Sequence, residues 1–430
     1  MKMLFVCFEY CADKDPGAQC IHQLRAALYV TGVKSDVITY AWKGEKEQPL
    51  PDEYGTVYPV RTWYRHARVK RRADGTIHMS PVQWVRVATA RGAAVLLEGR
   101  YYAQRGVPVC ATHHLGKCLQ VLCQENGYDW VVSVSYPFAN HLAAARWTPS
   151  NTKLAFYNLD PYWNNGTYMP QLAEARAAEE VKAYCRADCV FCTPEQLQDY
   201  QGEVFCDVRK KIHPLPYPKL VRPVLRDKCP IQFDSAHINL LYLGTVYGDI
   251  RKPEVLFKLF QKMVEKEPRL RLYVVGKKFG ADADRYLTEY SEKLGDKLRC
   301  YAPIPPEQTA DLLLRADVLV NMGNTVNNQM PSKVVEYIST GKPILNLSVN
   351  EKCSTLGLMK RYVNGFQVFE RDAYDLSTVN AAVDFCRQAR GKELSWQEAR
   401  EAFPEMELSQ LTRYFLTTLT QNRGACGSQK

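Results

Sequence analysis

The sequence predicts an α/β protein built from doubly wound parallel sheets. Three observations favour this class: strand and helix patterns alternate along the chain, several strand patterns are apolar on both faces, and one proline-rich stretch interrupts the alternation. The 430 residues, 46% hydrophobic and 24% charged, suffice for two to three domains with cores of their own. This composition excludes disordered, collagen-like and disulfide-stapled classes.

In the first half of the chain, strand patterns of four to six residues alternate with helix patterns. The predicted strands are 3–8, 35–40, 130–134, 154–158 and 189–192. The predicted helices are 21–30, 81–97, 115–124 and 170–184. The opening MKMLFVCFEY is too short for a signal-peptide core, so we interpret it as a first buried strand. Without an export signal, the 15 cysteines are expected to be reduced thiols of a cytoplasmic protein.

A proline-rich stretch then separates two domains. Five prolines between residues 211 and 230 disfavour helix and central strand, so we predict a linker at 216–235. The predicted domains are 1–215 and 236–404. The remainder, 405–430, contains an amphipathic helix that we expect to pack back across the domains.

After the linker the alternation restarts, with apolar runs such as INLLYLG and DVLVNMG. The predicted strands are 238–243, 271–275, 298–302, 318–321 and 343–347, with 366–369 at an edge. The predicted helices are 253–265, 282–294, 306–316 and 332–340. The sequence contains no run of about 18 apolar residues, so no membrane span is predicted.

The stretch NMGNTVNNQMPSKVVEYISTGKP, residues 321–343, carries the strongest candidate site. A buried strand ends, a loop rich in Asn and Gly follows, and a helix opens at Pro331 and Ser332. A helix amino terminus has free N–H groups that can hold a phosphate. Lys333 and Glu336 share one face of this helix, and a carboxylate there suits a ribose, whose two hydroxyls can donate to it. The alternative is a surface pair of these two residues with a small stabilising effect.

The segment QMPSKVVEYISTGKPIL resembles the nucleotide-sugar-binding segment of GT-B glycosyltransferases similar to glycosyltransferase family 4, of the bacterial cell-surface polysaccharide type. The start of the chain, LYLGTVYGDIRKPEVLF and VVGKKFG resemble other parts of that family in the same order, so the resemblance covers nearly the whole chain. It implies a GT-B fold, two Rossmann-like domains that face a cleft. Domain 1–215 would then take the acceptor, and domain 236–404 the nucleotide sugar.

The resemblance implies a role for each matching residue. Glu336 would bind the donor ribose, and Arg251 and Lys277 would neutralise the departing diphosphate as the glycosidic bond breaks. Gly17 would let the backbone approach the phosphates. The other expected donor-binding residues are Gly244, Thr245, Asn328, Pro331, Ser332 and Lys333. Without the resemblance, Arg251 and Lys277 are ordinary loop cations and Gly17 an ordinary turn residue.

The sequence departs from the family at two places. The family often carries a second glutamate eight residues before the ribose-binding one, and here that position is Asn328, which can bond a sugar hydroxyl but carries no charge. Many relatives have a His after the strand that here reads KLAFYNL, where this chain has Asp160. A carboxylate at a strand end can accept the proton of an acceptor hydroxyl, although Asp-Pro is also a common turn. Tyr162 and Trp163, which follow, fit either stacking on a ligand or burial in the core.

The charge of the chain is concentrated in one segment. Of the formal net charge of +10, about +8 falls between Arg61 and Arg105. This segment contains ten Lys and Arg residues and two acidic residues. Aromatic residues are interspersed among these cations. The segment fits an anionic membrane surface, a nucleic acid, or solvated surface with no partner. No recognisable nucleic-acid module accompanies it, so we expect the membrane surface and no nucleic acid.

Missing motifs restrict the function further. No GxGxxG follows a strand, no GxxxxGK[ST] occurs, no GxSxG appears and no DxD stands at a strand end. The absent DxD fits a transferase that needs no metal ion, and the resemblance implies a glycosyltransferase of the hexosyltransferase type without a cofactor. It would move a sugar, with retention as the resemblance implies, from a nucleotide-diphosphate sugar to a hydroxyl of a glycan or lipid-linked acceptor in polysaccharide biosynthesis. We expect it in the cytoplasm, peripheral at the inner face of the membrane. The alternatives are a non-catalytic binder of nucleotide sugars or glycans, favoured by Asn328, and a sugar-nucleotide epimerase.

Overall fold

The chain forms two compact α/β units. The computed structural model describes residues 1–10, 16–41, 47–64, 79–248, 250–251 and 253–421. Among these, unit 1 contains residues 1–64, 79–218 and 408–421, and unit 2 contains residues 219–407. The boundary between Pro218 and Lys219 falls within the segment 216–235 that the sequence predicts as a linker.

Unit 1 is built on one eight-stranded sheet. Its strands are β1 (Lys2–Cys7), β2 (Lys34–Ala41), β3 (Leu50–Asp52), β4 (Gly55–Arg61), β5 (Trp130–Ser135), β6 (Lys153–Asn158), β7 (Cys189–Cys192) and β8 (Ile212–Pro214). Its helices are α1 (Pro16–Val30), α2 (Pro81–Glu98), α3 (Tyr102–Arg105), α4 (His113–Asn126), α5 (Ala139–Trp147) and α6 (Ala173–Arg186). The strand order is β3-β4-β2-β1-β5-β6-β7-β8, and all neighbours are parallel except β3 and β4. The central strands β1 and β5 are buried along nearly their whole length, as a sheet covered by helices requires.

Unit 2 is built on a six-stranded parallel sheet and a small two-stranded ribbon. Its strands are β9 (Ile238–Leu243), β10 (Val246–Tyr247), β11 (Leu270–Val275), β12 (Lys278–Phe279), β13 (Leu298–Tyr301), β14 (Val318–Met322), β15 (Ile344–Ser348) and β16 (Gly365–Phe369). Its helices are α7 (Pro253–Lys266), α8 (Ala281–Leu294), α9 (Pro306–Arg315), α10 (Lys333–Ser339), α11 (Leu356–Arg361), α12 (Leu376–Ala389) and α13 (Trp396–Ala402). The sheet order is β13-β11-β9-β14-β15-β16, and the ribbon pairs β10 with β12.

The last helix, α14 (Leu408–Gln421), belongs to unit 1. Its apolar residues Leu411, Phe415 and Leu419 recur at a spacing of four and are buried. The ring of Phe415 packs against that of Phe191 on β7, with ring centroids 4.9 Å apart. Because burial of apolar side chains is favourable, these contacts stabilise the packing of α14 on the rest of unit 1.

The predicted fold class is confirmed: both units are parallel α/β sheets with covering helices. All eleven predicted strands are present, and 366–369 forms part of the edge strand β16. The sequence did not predict the β3–β4 hairpin, the edge strand β8, the ribbon, or helices α3, α5, α11, α12 and α13. None of the helices in the described ranges combines the length and the apolar character that a membrane crossing requires.

Candidate active site

In unit 2, the segments after three neighbouring strands leave the same edge of the sheet. The order β11-β9-β14 places the ends of these strands side by side, and the three strands are parallel. Ligands of open α/β sheets bind outside such carboxyl edges. The predicted residues that lie in these three segments, or on the helix that follows the last of them, are Gly244, Thr245, Arg251, Lys277, Asn328, Pro331, Ser332, Lys333 and Glu336.

Gly276 allows the first two segments to approach closely. A Cβ atom at Gly276 would overlap the carbonyl oxygen of Gly244, so no larger residue fits there without a backbone shift. At Gly244 itself, the nearest neighbour of an added Cβ is the Tyr242 hydroxyl at 3.6 Å. The steric requirement therefore lies at Gly276, a residue that is not among the predicted site residues.

Lys277 is held beside the loop after β9 by its backbone. The Val246 N–H donates to the Lys277 carbonyl oxygen over 2.8 Å, and the β10–β12 pairing continues from there. The Lys277 side chain is exposed, and no carboxylate of the described residues forms an ion pair with it. An exposed ammonium without an acidic partner can approach an anionic ligand without first breaking a salt bridge.

Arg251 is held in place by neutral groups. Its Nε donates to Asn324 Oδ1 and its Nη1 to the Tyr242 hydroxyl, each over 2.9 Å. Its guanidinium also lies over the ring of Tyr247, 5.2 Å from the ring centroid. Among the described residues none of these partners is acidic, so they orient the cation and leave its charge uncompensated. Such a cation is suited to bind a diphosphate.

The loop between β14 and α10 is tied down by its own amide groups. Asn324 is buried, and its Nδ2 donates to the Gln329 carbonyl oxygen over 2.8 Å. The Thr325 N–H donates to the Ile250 carbonyl oxygen over 2.9 Å, which joins this loop to the segment that carries Arg251. Asn328, the position of the missing glutamate, is buried within the same loop. The loop therefore lies beside Arg251 in a fixed arrangement.

The helix α10 is fastened to the end of β9 by one tyrosine. The Tyr337 hydroxyl accepts from the Leu243 N–H over 3.0 Å and donates to the Leu243 carbonyl oxygen over 3.1 Å. Val334 and Ile338 on the same helix are fully buried, as expected for an amphipathic helix that covers a sheet. This double hydrogen bond fixes α10 relative to the glycine segment that follows β9.

Glu336 forms ion pairs with two lysines. Its Oε1 accepts from Lys219 Nζ over 2.9 Å, and its Oε2 accepts from Lys333 Nζ over 2.6 Å. The ion pair between Lys333 and Glu336 on this helix, which the sequence offered as the alternative to ligand binding, is therefore present. Each carboxylate oxygen has two lone pairs, so both oxygens can still accept from a ligand hydroxyl. The Glu336 side chain is 19% exposed, which leaves it accessible.

Lys219 is a site residue that sequence reasoning missed. It lies in the predicted linker, its side chain is only 4% exposed, and its Nζ also donates to Ser332 Oγ over 3.2 Å. Burial alone would raise the pKa of Glu336, but the charges and hydrogen bonds of Lys219 and Lys333 lower it to about 2. Glu336 is therefore a carboxylate at every physiological pH. A lysine among prolines, 117 residues from its partner, gives no local sequence signal.

In unit 1, Gly17 and Asp160 follow strands that also end at one edge. The sheet order β1-β5-β6 is parallel, Gly17 is the second residue of the helix after β1, and Asp160 lies two residues after β6. Ser135, the last residue of β5, donates its hydroxyl to the Asp160 carbonyl oxygen over 3.5 Å. Asp15, before Gly17, lies outside the described residues.

Asp160 is partly exposed, and its charge raises the pKa of two nearby tyrosines. Burial raises the pKa of the half-exposed Tyr136, and the negative charge of Asp160 raises it further. Burial and the Asp160 charge also contribute to the raised pKa of Tyr168. The hydroxyls of Tyr136 and Tyr168 are therefore near enough to Asp160 to be influenced by its charge.

The aromatic residues after Asp160 belong to the core. The Tyr162 ring is stacked on Phe138 with centroids 3.8 Å apart, and its hydroxyl donates to Glu179 over 2.6 Å. The Trp163 ring packs against Phe205 with centroids 5.6 Å apart. Of the two uses that the sequence left open for these rings, the structure shows burial for Tyr162 and partial burial against the core for Trp163.

Unit 1 also contains a series of buried polar side chains joined by hydrogen bonds, which the sequence did not predict. His141 on α5 contacts the Ser133 hydroxyl over 2.9 Å and Asn158 Oδ1 over 2.8 Å, and burial lowers the pKa of His141 to about 3. Asn158 contacts Tyr184, which donates to the fully buried carboxylate of Glu180. Burial raises the pKa of Glu180 to about 7.

Within the described ranges, no group of three or more His, Cys, Asp or Glu could hold a metal ion.

No protein-family model matches the chain, and no curated protein matches it by sequence. Solved structures do match over almost its whole length. A sucrose-phosphate synthase from Thermosynechococcus elongatus is 15% identical, with a TM-score of 0.64 and 99% of each chain covered. The Anabaena protein HepE in complex with UDP is 13% identical, with a TM-score of 0.60 and coverage of 98% of this chain and 100% of HepE. The catalytic domain of Arabidopsis thaliana starch synthase IV, bound to ADP and acarbose, is 11% identical, with a TM-score of 0.62 and coverage of 98% and 99%.

At these identities the similarity establishes the fold. Structures of this kind include synthases and glycosyltransferases of the GT-B architecture, such as the lipopolysaccharide outer core galactosyltransferase WaaB, with a TM-score of 0.52 at 12% identity and coverage of 98% and 99%. The two α/β units match this architecture from end to end. The chain has the GT-B fold that the sequence resemblance implied.

Proposed function

We propose that this protein is a glycosyltransferase that moves a hexose-type sugar from a nucleotide-diphosphate sugar to a hydroxyl of a glycan or lipid-linked acceptor. The observation that carries the proposal is Arg251, a cation held by neutral groups at the carboxyl edge of the unit 2 sheet. Proteins with the same fold have been solved with UDP and with ADP bound. A nucleoside diphosphate is the ligand that this uncompensated charge fits best.

In this proposal Arg251 and Lys277 bind the diphosphate. Charge accumulates on the leaving diphosphate as the glycosidic bond breaks, and two positioned cations stabilise that charge in place of a divalent metal ion. The backbone of Gly244 and Thr245 lies beside Arg251 and can approach the phosphates closely. The transfer is therefore proposed to be independent of added metal.

The α10 segment would bind the nucleoside and the sugar. Glu336 would accept from the ribose hydroxyls through its free lone pairs, next to Lys333. Asn328 would bond a hydroxyl of the transferred sugar, within the loop that Pro331 and Ser332 close. Lys219 holds the Glu336 carboxylate in position.

In unit 1, Asp160 is proposed to bind the acceptor hydroxyl and orient it or accept its proton. Gly17 would let the start of α1 approach the donor phosphates. Retention of configuration, membership of glycosyltransferase family 4 and a role in polysaccharide biosynthesis are proposed on the sequence resemblance. A cytoplasmic location, peripheral at an anionic membrane through the basic segment between Arg61 and Arg105, is part of the same proposal.

A panel of nucleotide sugars tests the proposed reaction. The purified chain is incubated with each donor, with and without a lipid-linked or glycan acceptor, and release of nucleoside diphosphate is measured. Acceptor-stimulated release from one donor supports a transferase. Binding without release would support the non-catalytic binder that Asn328 favours, and interconversion of the sugar on the intact nucleotide would support the epimerase.

A further inference from the structure

The outward face of α2 is apolar. Val82, Val85 and Leu96 lie on one stripe of this helix, together with Thr89 and Gly92, at intervals of three and four residues. Leu96 is 88% exposed and Val85 65% exposed. The next stripe adds Trp84 and Val95, also exposed. A surface helix normally turns its polar side to water, so the exposed apolar residues of α2 depart from the usual pattern.

The other side of α2 is anchored to unit 1. Val87, Ala90 and Ala94 recur at the same spacing and are buried. The helix begins with a complete capping box, in which the Ser80 hydroxyl accepts from the Gln83 N–H and the Gln83 side chain accepts from the Ser80 N–H. The exposed apolar residues therefore belong to a packed and capped helix of 18 residues.

The charges around this face are positive. Arg86 and Arg91 are exposed and lie at its two opposite edges. The single acidic residue of the helix, Glu98, is turned to other partners: it accepts from Arg105 Nη1 over 3.1 Å and from the Val109 N–H over 3.0 Å. Arg105 also pairs with Glu179, so it does not contribute to the net positive surface that the sequence predicted.

More cations precede the helix in the sequence. They are Arg65, Arg68, Lys70, Arg71 and Arg72, which lie outside the described residues. An apolar stripe bordered by cations is complementary to the interface of an anionic bilayer, where phosphate groups surround the start of the acyl chains.

We propose that α2 lies in the plane of an anionic lipid surface, with Val82, Val85 and Leu96 inserted among the acyl chains and Arg86 and Arg91 directed to lipid phosphates. The proposal deepens the proposed function, because a lipid-linked acceptor is found at such a surface. Its evidence, however, is the helix itself. It adds insertion of apolar side chains to the electrostatic attraction expected from the basic segment.

Vesicle sedimentation of the full chain tests the docking face. The protein should pellet with vesicles of phosphatidylcholine and phosphatidylglycerol, and less with phosphatidylcholine alone. Val85→Ser combined with Leu96→Ser should lower the partition coefficient by about tenfold or more, since two exposed apolar side chains lose their transfer into lipid. The matched control is Val30→Ser with Val363→Ser, two exposed valines on other surfaces, which should leave partition unchanged. Arg86→Glu should reduce the preference for anionic vesicles.

Two results would overturn the proposal. One is equal partition of wild type and the Val85/Leu96 variant at matched folding, shown by circular dichroism. The other is a wild-type dimer in light scattering that the same variant converts to a monomer while vesicle partition stays unchanged, because the face would then join two copies of the chain. No nucleotide sugar is used in these measurements, so a failed transferase assay leaves this test unaffected.

Discussion

At the scale of single residues, the groups around Glu336 decide how its carboxylate is held. The sequence motif identified the carboxylate but not Lys219, which forms the more buried of its two ion pairs. The same holds for the Tyr337 hydroxyl and its partner Leu243, which are 94 residues apart. Spacing patterns report neighbours along a helix or strand, and contacts between distant segments leave no such trace. The candidate residue Glu336 could thus be named from the sequence, while Lys219 and the Tyr337–Leu243 contact could not.

Glu336→Gln should weaken nucleotide binding by about 1–3 kcal/mol, because a charge-assisted hydrogen bond to the ribose is lost. Calorimetric titration of UDP and ADP measures it. The substitution also leaves the buried ammonium of Lys219 without its carboxylate, which can lower stability. Lys219→Met and the double variant complete a double-mutant cycle. Measuring unfolding free energy and nucleotide affinity for all four proteins separates the loss of stability from the loss of binding. Unchanged affinity of a folded Glu336→Gln protein would exclude Glu336 from the nucleotide site.

Arg251→Ala and Lys277→Ala should each lower kcat by about 100-fold or more, because each removes a cation that stabilises charge on the leaving diphosphate. Lys278→Ala is the matched control, since the neighbouring Lys278 already pairs with Asp284 over 3.2 Å. Steady-state kinetics on the donor identified by the nucleotide-sugar panel give the comparison. Full activity in the Arg251/Lys277 double variant would contradict these roles.

Asp160→Asn should leave donor binding intact and reduce transfer, because the amide keeps the size of the carboxylate but cannot accept a proton from the acceptor. Donor affinity and transfer rate are measured on the same preparation. Asp207→Asn, at an exposed position elsewhere in unit 1, serves as the control. Equal loss of donor affinity and transfer would assign Asp160 to folding or to donor binding.

At the scale of elements, a buried polar face explains why one helix, α5, escaped prediction. Helix α5 carries Asn140 and His141 on the side that it buries, so its sequence shows no apolar stripe. The strand β3 has three residues and pairs antiparallel with β4, too short for an alternating pattern. The long, apolar strands of both sheets were predicted because burial on both faces demands a continuous apolar run.

The attachment of α10 to β9 gives an element-scale prediction. Tyr337→Phe removes the hydroxyl that satisfies both the N–H and the carbonyl oxygen of buried Leu243, so it should lower the free energy of unfolding by about 1–3 kcal/mol. Urea titration measures the loss, with Tyr29→Phe at a half-exposed ring as control. Nucleotide affinity should fall as well, because α10 carries Glu336. A stable variant with wild-type affinity would show that this bond does not position the helix.

At the scale of the whole molecule, the buried carboxylate of Glu180 links folding to pH. Its folded pKa of about 7 lies above the unfolded value of about 4.3, so its contribution to stability is fully present below pH 4.3 and is lost as pH rises through 7. The loss amounts to about 4 kcal/mol at complete ionisation. Glu180→Gln should therefore gain in relative stability between pH 5 and pH 8, as measured by chemical unfolding. A difference from wild type that is constant across this range would mean that Glu180 does not titrate as described.

The proposed transfer of a sugar with departure of a nucleoside diphosphate is tested by measuring acceptor-stimulated release of that diphosphate. Wild type and Lys278→Ala should release it from one nucleotide sugar with equal rates, and Arg251→Ala should be slower by about 100-fold or more. Release from no donor, by a chain that still binds UDP or ADP in calorimetry, would contradict the account and leave a binding protein on the GT-B fold.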